Sequence, residues 1–298
     1  MEAQPDFDDV VAQGVFSLRL DAACAPDGRI DLVHALPAWS HPDHATVRGL
    51  DLWGFAERQG RAAELQTWLL HEACRTAAAL PDERVGVAVS LPAGLVTGEG
   101  LAAEVGAALA ASAVSPSRLV LSFTEETLLT GSAALVPELE AVRRTGVRLC
   151  LDNYGMGHSL FALLARVGLD VVRVDLNALS TRDDTARALE VLTAMVRTNS
   201  DFGLTTIAGG VGTSAEARDA VVATGVPLLH GRGEPHDLTV DALVALLPAP
   251  CRVDHRLRAR LDGASCRVPR TQPMINSTDA DEPSGFPPFP VAGSPIRA

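Results

Sequence analysis

Short β-branched runs recur through the middle of the chain at near-regular intervals: Val85–Val89, Leu119–Phe123, Val147–Leu151, Val171–Asp175, Leu204–Ala208 and Pro227–His230. Between them lie segments of helical spacing. Leu135, Leu139 and Val142 share one helix face, and Leu189, Leu192, Met195 and Val196 share another. Strand, helix, strand at intervals of roughly 25–35 residues predicts parallel βα units, because a parallel pair needs a crossover long enough to hold a helix. Two more strands open the chain, Val15–Leu20 and Arg29–Ala35, joined by the turn signal Ala25-Pro-Asp-Gly28. A connection that short can only join them antiparallel. Two strands and six predict a (β/α)8 barrel of the TIM type whose first strand runs against the others; an open doubly wound sheet is the competing arrangement from pattern alone.

Bulk properties narrow the function. A chain of 298 residues with 47% hydrophobic composition can bury a sizeable core and is not wholly disordered. The formal charge of −12 argues against a partner that is a nucleic-acid polymer, since neutralising phosphates needs clustered positive charge. All 25 basic residues are Arg, so Schiff-base, P-loop and other lysine chemistry is excluded. Cys24, Cys74, Cys150, Cys251 and Cys266 are widely spaced and form no CxxC, which reads as reduced thiols rather than a disulfide framework or zinc site. No signal peptide and no apolar run of membrane-spanning length is evident, so the expectation is a cytoplasmic protein without a membrane partner. The last 48 residues hold seven Arg against five acids, a net +2, leaving −14 on the rest. Within them CRVDHRLRARLDG could form a short basic helix, and seven prolines from Pro269 onward remove any regular period. The expected organisation is a short N-terminal segment (1–12), a barrel domain (13–250), and a basic, then Pro-rich tail (251–298).

In such barrels chemistry gathers at the carboxyl ends of the strands. Here those positions hold His34, Ser90, Ser122 to Glu125, Asp152-Asn153, Asp175, Gly209-Gly-Val-Gly212 and His230-Gly-Arg-Gly233. Their order and spacing resemble the EAL domain, the barrel family that linearises the bacterial messenger cyclic di-GMP. His34-Ala-Leu-Pro-Ala-Trp39 stands where the family has Glu-Ala-Leu-Leu-Arg-Trp, and Val89-Ser-Leu-Pro92 where it has Val-Asn-Leu-Ser. Ser122-Phe-Thr-Glu125 stands for Glu-Ile-Thr-Glu, and Asp152-Asn-Tyr-Gly-Met-Gly-His-Ser159 for Asp-Asp-Phe-Gly-Thr-Gly-Tyr-Ser. Arg173-Val-Asp175 replaces Lys-Ile-Asp, Ala208-Gly-Gly-Val-Gly212 replaces Ala-Glu-Gly-Val-Glu, and His230-Gly-Arg232 replaces Gln-Gly-Tyr. The resemblance covers Val15 to Leu247 and implies the reversed first strand that the turn signal also predicts.

The departures from the family pattern shape the functional expectation. The resemblance implies that a metal pair would be held at His34, Ser90, Ser122, Asp152 and Asn153, where the family carries four acids and this chain one. Hard dications want oxygen ligands, chiefly carboxylates. The residues that would activate and position water are Arg173 and Gly209, and the phosphate-gripping Arg is Ala38. The reading is therefore a degenerate EAL-type domain, a pseudoenzyme without a cofactor, acting as a regulatory module for an unidentified protein partner; Mg²⁺ or Mn²⁺ would enter only if family activity remained. One alternative is a metal-independent receptor for cyclic di-GMP or another phosphorylated ligand, with Gly210, Gly231 and Arg232 as candidate phosphate contacts. Another is residual phosphodiesterase activity. His34, Asp152 and His230 are also weighed as a two-His, one-carboxylate metal site. Trp39, Trp53 and Trp68 read as core fillers, His41 and His44 as loop residues, and Glu125 as an acidic helix start. The segment after Asp152 resembles the family's dimerisation loop only in part, so a homodimer stays an open alternative.

Overall fold

The computed structural model describes residues 15–41, 44–58, 60–91, 100–130, 134–154, 167–179 and 185–247. The expected N-terminal segment, the tail with Cys251 and Cys266, Pro92, and the 155–159 part of the dimerisation-loop segment lie outside them. Nine strands form one sheet: β1 (Val15–Cys24), β2 (Ile30–His41), β3 (His44–Arg48), β4 (Gly86–Ser90), β5 (Leu119–Thr124), β6 (Arg148–Asp152), β7 (Val171–Asp175), β8 (Thr205–Gly209) and β9 (Leu228–His230). Their order is β1-β9-β8-β7-β6-β5-β4-β2-β3, and β1 also pairs with β2, so eight strands close into a barrel and β3 hangs on its rim. β1 is antiparallel to both β2 and β9, whereas β2 and β4 through β9 run parallel. The barrel and its reversed first strand are as the sequence predicts, and the open sheet is excluded.

The turn at Ala25–Gly28 works as its residues require. Gly28 takes φ 89, a left-handed conformation that its missing Cβ allows, and its amide donates to the Ala25 carbonyl at 2.8 Å. Both strands of this hairpin extend beyond the expected Val15–Leu20 and Arg29–Ala35. Proline cannot donate to a ladder, yet β2 runs through Pro37 to His41. In the fold Pro37 falls between two pairings: Leu32–Ala35 pair with β4, and Ala38–His41 pair with β3. His41 and His44 are thus paired strand residues rather than loop residues, and β3 is a strand that the sequence does not predict.

Helices pack on the outside of the barrel: α1 (Leu50–Arg58), α2 (Ala62–Ala79), α3 (Leu101–Ser112), α4 (Glu125–Thr130), α5 (Leu135–Arg144), α6 (Leu176–Leu179), α7 (Thr185–Asp201), α8 (Ala215–Val222) and α9 (Val240–Leu246). The predicted stripe Leu135, Leu139 and Val142 is buried, and Leu192 of α7 is buried with Leu189, Met195 and Val196 packed partly against the core. Trp39, Trp53 and Trp68 are core residues, the last stacked at a tilt on Phe16 with ring centroids 5.7 Å apart. Cys24, Cys74 and Cys150 are buried and none of the three is in a disulfide. Among the described residues no helix is long and apolar enough to cross a membrane.

Candidate functional site at the barrel mouth

One inward-facing residue from each barrel strand closes the interior: Ala23, Leu32, Ala88, Val120, Cys150, Val171, Ile207 and Leu228 form a single buried cluster with Ala25. Because strand side chains alternate, the next inward position lies two residues further on. On the parallel strands those positions are His34, Ser90, Ser122, Asp152, Arg173, Gly209 and His230, and the reversed β1 supplies Asp21. The residues picked out from strand ends in the sequence therefore form one layer resting on an apolar floor. His34, Ser122 and Asp152 are buried, while Ser90 and His230 are half-buried.

Arg173 and Asp152 sit on neighbouring strands and meet as a two-pronged ion pair. Arg173 Nη2 donates to Asp152 Oδ2 at 3.0 Å, and Nε lies 3.0 Å from Oδ1. This fork matches the planar carboxylate at both oxygens, the strongest form of the contact. The Asp152 side chain is 5% exposed, so the pair stands largely out of water. Gly209 lies beside the Arg173 stem: a Cβ there would stand in ordinary contact 3.6 Å from Arg173 Cγ and more tightly, 3.3 Å, from the Val174 carbonyl oxygen. Behind the carboxylate, the Cys150 thiol lies 3.7 Å from Asp152 Oδ1, and burial pushes that thiol upward out of its ordinary range.

His34 and His230 face each other with ring centroids 5.0 Å apart at 51°. Burial pushes the His34 imidazole well below the usual histidine range, and the Arg173 guanidinium and His230 add to the shift. His230 is lowered to about 4 by burial, then by Arg173 and His236. Both rings are neutral near pH 7, and each Nε2 is buried without a hydrogen-bond partner. A histidine whose folded value is lowered binds its proton in the unfolded chain first, so the associated stability is full above pH ~6.5 and is lost as pH falls through the folded value. For His230, this term is on the order of 3 kcal/mol between pH ~6.5 and ~4. Thermal melts of His230→Asn across that window should fall less steeply than those of the unaltered protein.

The remaining predicted positions part from this group. Asn153 is exposed in a left-handed conformation, φ 55. Asp175 turns its carboxylate to the start of α6, where Oδ1 accepts from the Asn177 amide at 2.9 Å and from its side chain at 3.1 Å. The glycines after β8 and β9 pack backbone on backbone. Val211 N donates to the His230 carbonyl at 3.1 Å and Gly233 N to the Val211 carbonyl at 3.2 Å, while a Cβ on Gly231 would stand 2.5 Å from Val211 N. Gly210, at φ 76, leaves no room for a side chain beside Asn177, and Arg232 is exposed. Glu125 opens α4 and is buried. Among the described residues no group of three His, Cys, Asp or Glu is placed to hold a metal ion; His34, Asp152 and His230 do not make one, because Asp152 is turned to Arg173.

Two features escaped the sequence reading. Tyr154, the sole tyrosine of the chain, donates from its hydroxyl to Asn199 Oδ1 at 2.5 Å, and Asn199 Nδ2 donates to Thr206 Oγ1 at 3.0 Å. Burial and the charge of Glu125 push the phenol up to about 12, so it stays a donor. On the rim, Arg48 lies across from Ala38 in the β2–β3 pairing, and its guanidinium reaches Asp237 Oδ1 at 2.6 Å. Neither was legible without knowing that Asn199 faces inward and that β3 exists.

Comparisons with known proteins agree with this architecture. The EAL domain family matches residues 6–232. The cyclic di-GMP phosphodiesterase NbdA of Pseudomonas aeruginosa is 32% identical over 190 residues, which is 63% of this chain and 24% of NbdA. The bifunctional diguanylate cyclase/cyclic di-GMP phosphodiesterase MucR of the same organism is 31% identical over 198 residues, 64% of this chain and 28% of MucR. The chain thus spans about a quarter of the length of these relatives. The structure titled PaMucR phosphodiesterase, c-di-GMP complex, superposes with a TM-score of 0.68 at 26% identity, covering 78% of this chain and 94% of that one. The FimX EAL domain from P. aeruginosa, bound to c-di-GMP, shares the fold at a TM-score of 0.66 and 16% identity, covering 76% of this chain and 93% of that one. With the barrel, its reversed first strand and the matched residues in agreement, the chain belongs to the EAL domain family.

Proposed function

We propose that this EAL domain is a pseudoenzyme that does not hydrolyse cyclic di-GMP and serves as a regulatory, protein-interaction module in cyclic di-GMP signalling. The observation that carries the reading is the fork between Arg173 and Asp152. Of the five positions where the resemblance places metal ligands, Asp152 is the one acid, and its two oxygens are already matched to a fixed cation. Hard dications favour several carboxylate oxygens, and two neutral imidazoles beside a guanidinium do not supply them. The residues present do not fit Mg²⁺ or Mn²⁺. Arg173 is moreover a poor proton acceptor, since guanidinium stays charged in proteins. The reading requires that purified protein give no linear product from cyclic di-GMP with either metal.

A second reading, a metal-independent receptor for cyclic di-GMP or another phosphorylated ligand, is favoured by His34 Nε2 and His230 Nε2. Each is buried and without a partner, and an unsatisfied buried polar atom costs roughly 1–3 kcal/mol until something bonds it. Calorimetry with cyclic di-GMP in metal-free buffer separates the two. Micromolar binding lost in a His34→Ala/His230→Ala variant supports the receptor; absence of heat leaves the interaction module, whose partner, a different protein or a second copy, is then sought with chains carrying and lacking residues 251–298.

A further inference from the structure

Two arginines converge on one carboxylate at the barrel rim. On the inward face, Ser17 of β1 and Arg48 of β3 both lie opposite Ala38 of β2, Arg19 lies opposite Leu36, and Asp21 lies opposite His34. Ala38 brings only a methyl group to this row and is fully buried. Arg48 Nη1 reaches Asp237 Oδ1 at 2.6 Å, and Arg19 Nε lies 3.7 Å from the same oxygen. Asp237 stands in the left-handed region at φ 53, and its amide donates to Asp21 Oδ1 at 2.8 Å. The backbone around it is tied to β1 by Leu20 N to Leu238 O at 2.9 Å and Ala22 N to Pro235 O at 2.8 Å.

Asp237 satisfies this pair incompletely. Arg19 Nε is buried without a hydrogen-bond partner, its contact with Asp237 being too long for one. Both guanidinium groups nevertheless keep access to solvent, with side chains 28% and 46% exposed. A phosphate group has more acceptor oxygens than a single carboxylate oxygen provides, and guanidinium forks suit it. We propose that Arg19 and Arg48 form a clasp for a phosphate group, closed by Asp237 as an intramolecular stand-in for the ligand. Phosphate and Asp237 compete for the same donors. Because the neighbouring backbone is held by β1, only the Asp237 side chain has to turn aside when the ligand enters. The clasp does not depend on whether the domain hydrolyses anything, so its test is separate from the turnover test.

The test is calorimetric titration of the full chain with inorganic pyrophosphate at low ionic strength. Asn tolerates the left-handed conformation as Asp does, so Asp237→Asn removes the competing charge without disturbing the backbone. It should tighten pyrophosphate binding about tenfold, the size expected when a competing contact is released. Asp241→Asn, on the exposed first turn of α9, makes the same change in net charge and should leave binding as it was. Adding Arg48→Gln to Asp237→Asn should abolish the gain, with circular dichroism showing the fold retained. Equal affinity of Asp237→Asn and Asp241→Asn, no binding by either, or a gain that survives Arg48→Gln would overturn the clasp and leave these contacts as a tether for the loop.

Discussion

Replacing Arg173 with alanine is expected to destabilise the protein by about 3–5 kcal/mol in urea unfolding, the usual cost of leaving one partner of a buried ion pair alone. With Arg173 present, Asp152 Oδ2 accepts a hydrogen bond and Oδ1 lies 3.0 Å from the guanidinium Nε, in a place where the side chain is 5% exposed. Without it, the carboxylate must either stay charged in a poorly solvated layer beside neutral imidazoles or take up a proton. Removing both charges avoids that penalty, so Asp152→Asn/Arg173→Met should recover to within about 1–2 kcal/mol of the unaltered protein. A double variant as unstable as Arg173→Ala would mean that the fork is not what holds this layer together.

The second large effect concerns Asn199. Asn199→Leu should cost about 2–4 kcal/mol, because it leaves the buried Tyr154 hydroxyl and Thr206 hydroxyl without their shared partner. Replacing both ends of the main bond, as Tyr154→Phe/Asn199→Leu, should restore much of that loss in equilibrium unfolding, since no phenol is then stranded. The network also bears on the mouth. Tyr154 follows Asp152 by two residues, and its amide donates to the Arg173 carbonyl at 2.9 Å, so it ties the end of β6 to the strand that carries Arg173. Equal stability of the single and double variants would show that Asn199 acts by packing alone.

Much of the barrel was legible because its signals are local. The runs from Val85 to His230 are short and β-branched, and Ala25-Pro-Asp-Gly28 leaves no length for a crossover. The mouth layer was legible because its residues follow the apolar runs at their carboxyl ends, where the family motifs also fall. What escaped depends on register and on partners distant in sequence. The second strand reads as ending at Ala35, and its continuation past Pro37 shows only when β3 and β4 are seen to share β2 between them. Asn199 continues the apolar face of α7 with a polar group whose partner lies 45 residues earlier. Asp152 reads as a metal ligand by resemblance, and its pairing with Arg173 becomes visible only when β6 and β7 lie side by side. The close approach of the two loop backbones at Gly231 and Gly233, and the packing of Gly210 against the Asn177 side chain, likewise depend on contacts between segments distant in sequence.

We propose no hydrolysis at a mouth where the one acid among the five metal-ligand positions of the resemblance is matched by an arginine. The most direct test uses the full chain in excess over cyclic di-GMP with millimolar Mn²⁺, followed by separation of the cyclic and linear dinucleotides, so that even a single turnover is seen. The account predicts that all of the cyclic form is recovered. Linear product that forms only with metal and vanishes in Asp152→Ala would contradict it.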